Sequence, residues 1–194
     1  MVTAKRFAGT LLGTSNPHMS RLRRDDNKLI IMDRKKDLNI GVLALQGDVK
    51  EHINTLQNLV VLAIEVRLPS DLKQVGGLII PGVESTTISN LMQKFGLDTA
   101  IKNANKNGLA VFGTCAGAIM VCKKILGDKK VKPLKLMDIE VKRNAYGRQV
   151  DSFEAELELE GKKFHAAFIR APIISKIGKK VEVLCTHEKK PVLV

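Results

Sequence analysis

The sequence predicts an α/β protein built on a mainly parallel, doubly wound sheet. Its apolar residues form short continuous runs at 40–45, 76–80 and 109–112, which are typical of strands buried on both faces. Helical stretches separate and follow these runs, and the alternation predicts parallel strands joined by crossovers. With 194 residues and 44% hydrophobic composition, the chain can bury the core of one domain.

The first half of the chain supplies the first three strands. Residues 40–45 form a buried strand that ends at Gln46, and residues 49–59 form a helix with apolar positions on one side and His52 on the polar side. A second strand follows at 61–67, and a third at 76–80.

The fourth strand, at 109–112, leads into the turn that is most informative about function. Residues 113–117 read Gly-Thr-Cys-Ala-Gly, and a helix is predicted from Ala116 to about Gly127. The Gly-x-Cys-x-Gly spacing is typical of a nucleophile elbow with Cys115 at its apex. The helix N-terminus is expected to lower the thiol pKa, and the Ala116 N–H to point toward a developing oxyanion. The alternative is a buried structural cysteine, which is how we interpret Cys122.

Active sites of doubly wound sheets lie at the carboxyl ends of the strands. Gln46, Gly82 and Cys115 each follow a predicted strand, so we expect them to lie at one edge of the sheet. This expectation depends only on the strand pattern.

The second half of the chain is predicted to form further strands with alternating residues. They span residues 136–141, 153–159, 163–169 and 181–185.

Residues 1–38 differ from the rest. No acidic residue occurs before Asp25, and no hydrophobic period is visible. A targeting segment would fit the basic start, but a signal-peptide apolar core is missing. We interpret 1–38 as a disordered leader or N-terminal extension, with Met32 as an alternative start, and 39–194 as the folded domain.

The composition excludes several classes of protein. The net charge of +12 would suit a nucleic-acid partner, but the chain has no Trp, one Tyr and scattered lysines, so a solvated basic surface is predicted instead. No run is long enough to span a membrane, and three irregularly spaced cysteines indicate a reducing compartment, the cytoplasm. We expect no cofactor and no metal.

Three motifs in unbroken order carry a family resemblance. Residues 113–117, together with Gly-Val-Leu-Ala-Leu-Gln-Gly at 41–47 and Phe-Ile-Arg-Ala-Pro at 168–172, resemble the glutaminase subunits of pyridoxal phosphate synthases, which are class I glutamine amidotransferases. The resemblance covers the chain from about Asn39 onward. It implies a flavodoxin-like, three-layer α/β sandwich that hydrolyses glutamine at Cys115 and passes ammonia to a synthase subunit.

The resemblance also implies a substrate site. Residues 81–87, Pro-Gly-Val-Glu-Ser-Thr-Thr, resemble a glutamine-binding loop that supplies the second oxyanion N–H, here that of Val83. Val83 stands where the family has glycine, which would distort the oxyanion hole if the loop needs positive φ. From the residues alone, Ser85 or Thr86 is expected to cap the following helix. The glutamine-contacting residues implied by the resemblance are Gly82, Val83, Glu84, Ser85, Arg143, Ile169 and Arg170.

A cysteine hydrolase also needs a base and a carboxylate to orient it. The resemblance implies a His-x-Glu motif in Phe-His-Pro-Glu context after one further strand, followed by a closing helix, and the sequence contains neither. His187 is followed directly by Glu188 in a predicted turn, so the spacing is His-Glu and not His-x-Glu. No motif supports His18, His52 or His165 as the base. We therefore expect either a fragment or a naturally shortened subunit.

Three functions follow as hypotheses. The first is a glutaminase, the second a catalytically inactive truncated subunit that only binds the synthase, near Gln46, Gly47 and the first helix. The third is a different cysteine hydrolase on the same sandwich, such as a peptidase.

Overall fold

The computed structural model describes residues 2–3, 39–82, 84–143, 153–169 and 171–194 of the chain. Twelve strands lie within these residues: β1 (Val2–Thr3), β2 (Ile40–Leu43), β3 (Ala63–Val66), β4 (Gly77–Ile80), β5 (Ala110–Thr114), β6 (Cys122–Leu126), β7 (Met137–Lys142), β8 (Phe153–Leu159), β9 (Lys162–Phe168), β10 (Ile173–Ile177), β11 (Cys185–His187) and β12 (Lys190–Leu193). The helices are α1 (Val49–Asn58), a 3-10 helix (Pro69–Gln74), α2 (Ser85–Lys94), α3 (Leu97–Lys106) and α4 (Ala116–Val121).

The central sheet has the strand order β11-β12-β1-β5-β4-β2-β3. Strands β5, β4, β2 and β3 run parallel to one another, so their carboxyl ends share one edge. Strand β1 runs antiparallel to β5 and parallel to β12, and β11 and β12 form a hairpin. The mainly parallel sheet confirms the predicted α/β class.

Two apolar clusters cover opposite faces of this sheet, as the strand period of two requires. On one face, Ile40, Val42 and Ile79 pack with Leu56 of α1. On the other, the alternate residues of the same strands pack with α2, α3 and α4, through buried side chains that include Leu43, Leu78, Ile80, Ile88, Met92, Ile101 and Met120. The predicted three-layer sandwich is therefore present.

Two smaller sheets complete the fold. Strands β10, β7 and β6 form a mixed three-stranded sheet, and β8 and β9 form an antiparallel hairpin that contacts β11.

The predicted helix from Ala116 to Gly127 is wrong in its second half. The helix ends at Val121, and Cys122 begins β6, which pairs with β7 through an irregular register between Cys122 and Lys124. Cys122 and Ile125 are buried whereas Lys123 and Lys124 are exposed. The irregular strand thus spaces its buried residues three apart, as a helix would. Only the pairing with β7 shows that this segment is a strand. Cys122 is nevertheless fully buried, as predicted.

The strand predicted at 181–185 is also wrong except for its last residue. The N–H of Val181 donates to the carbonyl of Gly178, and pairing with β12 begins only at Leu184 and Cys185. Helix α3, the 3-10 helix and β10 were not predicted. Most of the predicted leader lies outside the described residues, but Val2 and Thr3 form strand β1.

Within the described residues, no helix is both long and apolar enough to cross a membrane.

Candidate active site

Cys115 lies in a strained turn between β5 and α4. Its backbone has φ 48° and ψ −105°, values that a residue with a side chain rarely adopts. Such strain persists where the surroundings leave the chain no alternative, and it is typical of active sites. The geometry agrees with the predicted nucleophile elbow.

The two glycines of the turn are required by close backbone contacts. A Cβ atom on Gly117 would lie 1.9 Å from the carbonyl oxygen of Ile80 in β4. A Cβ atom on Gly113 would lie 2.4 Å from the carbonyl carbon of Gly117. The elbow therefore needs glycine at both positions because a Cβ atom at either one would overlap neighbouring backbone.

The ends of β2, β4 and β5 converge around this turn. A Cβ atom on Gly82 would lie 3.3 Å from the Cβ of Cys115 and 3.3 Å from Oδ2 of Asp48. The N–H of Asp48 also donates to the carbonyl of Gly82, at 3.3 Å. Gly82 and Cys115 are thus neighbours at one edge of the sheet, where strand topology alone placed them.

The ionisation of Cys115 differs from the expectation. Burial raises the pKa of the thiol above its ordinary value of 9.0, although a hydrogen bond from the Ala116 N–H opposes this change. The expected net lowering of the thiol pKa is therefore wrong, because desolvation of the half-buried sulfur outweighs the donor. The Ala116 N–H thus donates to the sulfur in this structure, and its role at a developing oxyanion remains a prediction.

His52 is a neighbour of the Cys115 turn that the sequence did not predict. Its Nε2 lies 3.3 Å from Oγ1 of Thr114, the residue before Cys115. Burial lowers the pKa of the imidazole below 6.5, against the opposing charges of Asp48 and Glu51. The sequence placed His52 on the polar side of the helix, whereas its ring is partly buried and contacts the end of β5. A signal existed: His52 precedes the buried Leu56 by four residues, so the two share a helix face.

Glu84, rather than Ser85 or Thr86, caps α2. Its carboxylate accepts hydrogen bonds from the N–H groups of Thr86 at 3.1 Å and Thr87 at 2.7 Å. Partial burial favours a higher pKa for the Glu84 carboxyl, but these hydrogen bonds outweigh it and lower the pKa to about 2. The prediction of a Ser or Thr cap failed because Ser85 already lies inside the helix, with its side chain buried.

Arg143 lies next to this cap. Its Nη2 donates to Oε1 of Glu84 at 3.1 Å, and its Nη1 donates to Oδ2 of Asp128. The guanidinium is mostly buried, whereas the side chain of Glu84 is about half exposed. The structure therefore connects two of the predicted substrate residues, Glu84 and Arg143, through an ion pair.

Of the three remaining predicted substrate residues, the structure describes only Ile169. Ile169 follows β9 and is exposed. Val83 and Arg170 lie outside the described residues, so the predictions for both remain predictions.

The other described histidines are engaged elsewhere. His165 contacts Glu154 across the β8–β9 hairpin at 2.9 Å. His187, at the end of β11, stacks on Phe153 and Phe168. Among the residues that the structure describes, no group of three His, Cys, Asp or Glu side chains could hold a metal ion.

Comparison with known proteins agrees with this geometry. The model of the SNO glutamine amidotransferase family matches residues 42–194. The chain is 56% identical to a pyridoxal 5'-phosphate synthase subunit PdxT of Dehalococcoides mccartyi, over 76% of this chain and 77% of that protein. It is 50% identical to the subunit of the same name from Thermus thermophilus, over 80% and 82%. A solved structure of a glutamine amidotransferase superposes with a TM-score of 0.75 at 46% identity, covering 79% of this chain and 82% of that one.

Proposed function

The chain belongs to the SNO glutamine amidotransferase family, and we propose that it hydrolyses glutamine with Cys115 as the nucleophile and supplies the ammonia to a synthase subunit that makes pyridoxal phosphate. The observation that carries the assignment of the nucleophile is the strained turn of Cys115, enclosed by Gly82, Gly113 and Gly117. The synthase partner is proposed from the names of relatives that are 46–56% identical.

The reaction follows from the atoms at the turn. The sulfur of Cys115 attacks the side-chain amide carbon of glutamine, and the carbonyl oxygen becomes an oxyanion. The N–H of Ala116 is close enough to the sulfur to donate to that oxyanion, and Val83 supplies the second N–H. The amide nitrogen takes up the proton that the thiol released as the carbon–nitrogen bond breaks, so that ammonia leaves and a γ-glutamyl thioester forms. Water then hydrolyses this thioester to glutamate and the free thiol.

Substrate binding is assigned to the loop before α2 and to Arg143. The guanidinium of Arg143 offers a planar pair of donors to the α-carboxylate of glutamine. To bind there, the substrate carboxylate has to replace the half-exposed carboxylate of Glu84 at Nη2. Asp128 holds Nη1 and keeps the guanidinium in place. Gly82, Glu84, Ser85, Ile169 and Arg170 complete the proposed site.

The raised pKa of the thiol makes a proton acceptor necessary, because little thiolate is present at neutral pH. The resemblance assigns this role to a His-x-Glu motif that the 194 residues do not contain. Hydrolysis is therefore to be measured both for the chain alone and for its mixture with a synthase subunit from a related bacterium.

The test measures ammonia and glutamate release from glutamine by that mixture. The Cys115→Ala variant is expected to lose roughly 10³-fold or more of the activity, and Cys185→Ala, which alters another buried thiol, is expected to keep it. Ammonia release that survives Cys115→Ala would contradict the assigned nucleophile. No release by the unaltered chain, with binding to the synthase subunit intact, would favour the inactive docking subunit instead.

A further inference from the structure

We propose that His52 is a positioning residue for the nucleophile: through its hydrogen bond to Thr114, it holds the Cys115 turn in the geometry that reacts. The inference rests on the proposed function, in which Cys115 attacks glutamine. The family match and the motifs of the turn do not by themselves assign any role to His52.

The first step is that the turn needs external support. Cys115 adopts a backbone conformation that L-residues avoid, and it would relax if its neighbours allowed it. On its C-terminal side, Gly117 is packed against the carbonyl of Ile80. On its N-terminal side, the hydroxyl of Thr114 is hydrogen-bonded to the imidazole of His52, which lies 62 residues away in sequence.

The second step is that this bond connects two separate elements. Thr114 is the last residue of β5, whereas His52 is one turn into α1, the helix that follows the loop of Gln46 and Gly47. Helix α1 packs on β2 and β3. Leu56 of α1 also shares an apolar cluster with Ala110 of β5, and the contact between His52 and Thr114 extends this packing to the end of β5, where the turn begins.

The third step concerns the charge of the imidazole. Burial favours the neutral ring at neutral pH, although the carboxylates of Asp48 and Glu51 face it and favour the charged form. A neutral ring can either donate to or accept from the Thr114 hydroxyl, whereas imidazolium can only donate. Protonation also places a charge in a half-buried position, which is why burial favours the neutral ring.

The fourth step connects the turn to the reactivity of the thiol. The Ala116 N–H donates to the Cys115 sulfur only while the turn keeps its present geometry, and this donor lowers the pKa of the thiol. A relaxed turn would lose the donor, so the thiol pKa would rise and less thiolate would form at a given pH.

The test is the rate at which iodoacetamide alkylates Cys115 in the full chain, followed by peptide mass mapping from pH 6 to 10. Cys122 and Cys185 are buried and serve as internal references. His52→Phe and Thr114→Val each remove the bond while keeping similar volume, and each is expected to slow alkylation at pH 8 by about two- to tenfold. The apparent thiol pKa in the pH–rate profile should rise by a matching amount.

Conservative variants and the double variant separate positioning from mere damage to the fold. His52→Gln and Thr114→Ser keep the hydrogen-bonding atoms and are expected to retain the unaltered rate. The double variant His52→Phe/Thr114→Val should be no slower than either single variant, because both remove the same bond. Additive effects, or single variants whose alkylation profiles match that of the unaltered chain, would overturn the proposal.

The alkylation assay does not depend on glutamine turnover, so the two proposals fail separately. An unaltered chain that releases no ammonia but shows coupled effects of His52 and Thr114 on alkylation would refute the proposed function alone. Where turnover is measurable, the single variants should lower kcat by two- to tenfold and leave KM unchanged, since the nucleophile is displaced and the substrate contacts are not.

Discussion

Cys115 and Val60 both have left-handed backbone conformations, yet their surroundings are opposite. Cys115 has φ 48° and lies among backbone atoms of β4, β5 and α4 that are in direct contact. Val60 has φ 59°, follows the end of α1, and is 95% exposed. The first is enclosed by tertiary packing, and the second is held by local hydrogen bonds.

The hydrogen bonds at Val60 explain its conformation. Its N–H donates to the carbonyl of Gln57, and the N–H of Val61 donates to that of Leu56, both at 2.9 Å. These bonds end the helix in the way that usually places glycine at this position. The positive φ at Val60 thus ends a helix, and glycine would adopt it with less strain. The positive φ at Cys115 instead belongs to the turn that presents the thiol.

The largest expected effect comes from the packing around Cys115. Gly117→Ala should destabilise the fold by about 3 kcal/mol or more, because the new methyl group would overlap the carbonyl oxygen of Ile80. Gly127→Ala is the matched control: φ there is +73°, but nothing lies within 4 Å of the added Cβ, so a cost of about 1 kcal/mol is expected. Urea unfolding of both variants measures the difference, and equal costs would contradict the packing argument.

The next effect has the opposite sign and occurs at Val60. Val60→Gly should stabilise the protein by about 1 to 2 kcal/mol, since it relieves the strain of a β-branched residue at positive φ and removes an exposed side chain. Leu59→Gly, at the adjacent exposed residue with φ −88°, should instead destabilise by roughly 0.5–1 kcal/mol. A lower thermal midpoint for Val60→Gly would show that its conformation is not strained.

A smaller effect is expected at the nucleophile itself. Cys115→Gly should be more stable than Cys115→Ala by about 1 kcal/mol, because glycine accepts φ 48° and alanine does not. Both variants lack the thiol, so loss of the sulfur is common to them. Chemical denaturation measures the difference, and a more stable Cys115→Ala would mean that the turn relaxes freely.

The smallest effect concerns the cap of α2. The pKa of Glu84 is about 2 in the folded protein, below its ordinary 4.5, so its contribution to stability is present above about pH 4.5 and is lost as the pH falls toward 2. Glu84→Gln should lower stability at pH 7 by about 0.5–1 kcal/mol, a small value because the side chain is half exposed, and should lower it less at pH 3. Glu158→Gln, at an exposed position of β8, is the control. The urea midpoints at the two pH values measure the change, and a pH-independent loss would argue against the ionised cap.

Several tertiary features of the site have no reliable local signature. Helix α4 ends at Val121 because Cys122 pairs with β7, a contact that no local pattern reveals. Arg143 is joined to Glu84 and Asp128 across 59 and 15 residues of sequence. Ion pairs of this kind depend on where loops meet, so a sequence can propose the residues but not the pairing.

The local pattern of residues is enough to predict the α/β class, the common edge at which the parallel strands end, and the turn that carries Cys115. Apolar runs, helical periods and glycine spacing are local properties, and they specify local geometry directly. The tertiary structure alone decided that His52 faces Thr114, that Glu84 caps α2 and pairs with Arg143, and that the thiol pKa is raised. These properties depend on burial and on contacts between distant segments, which exist only after the sheet has brought those segments together.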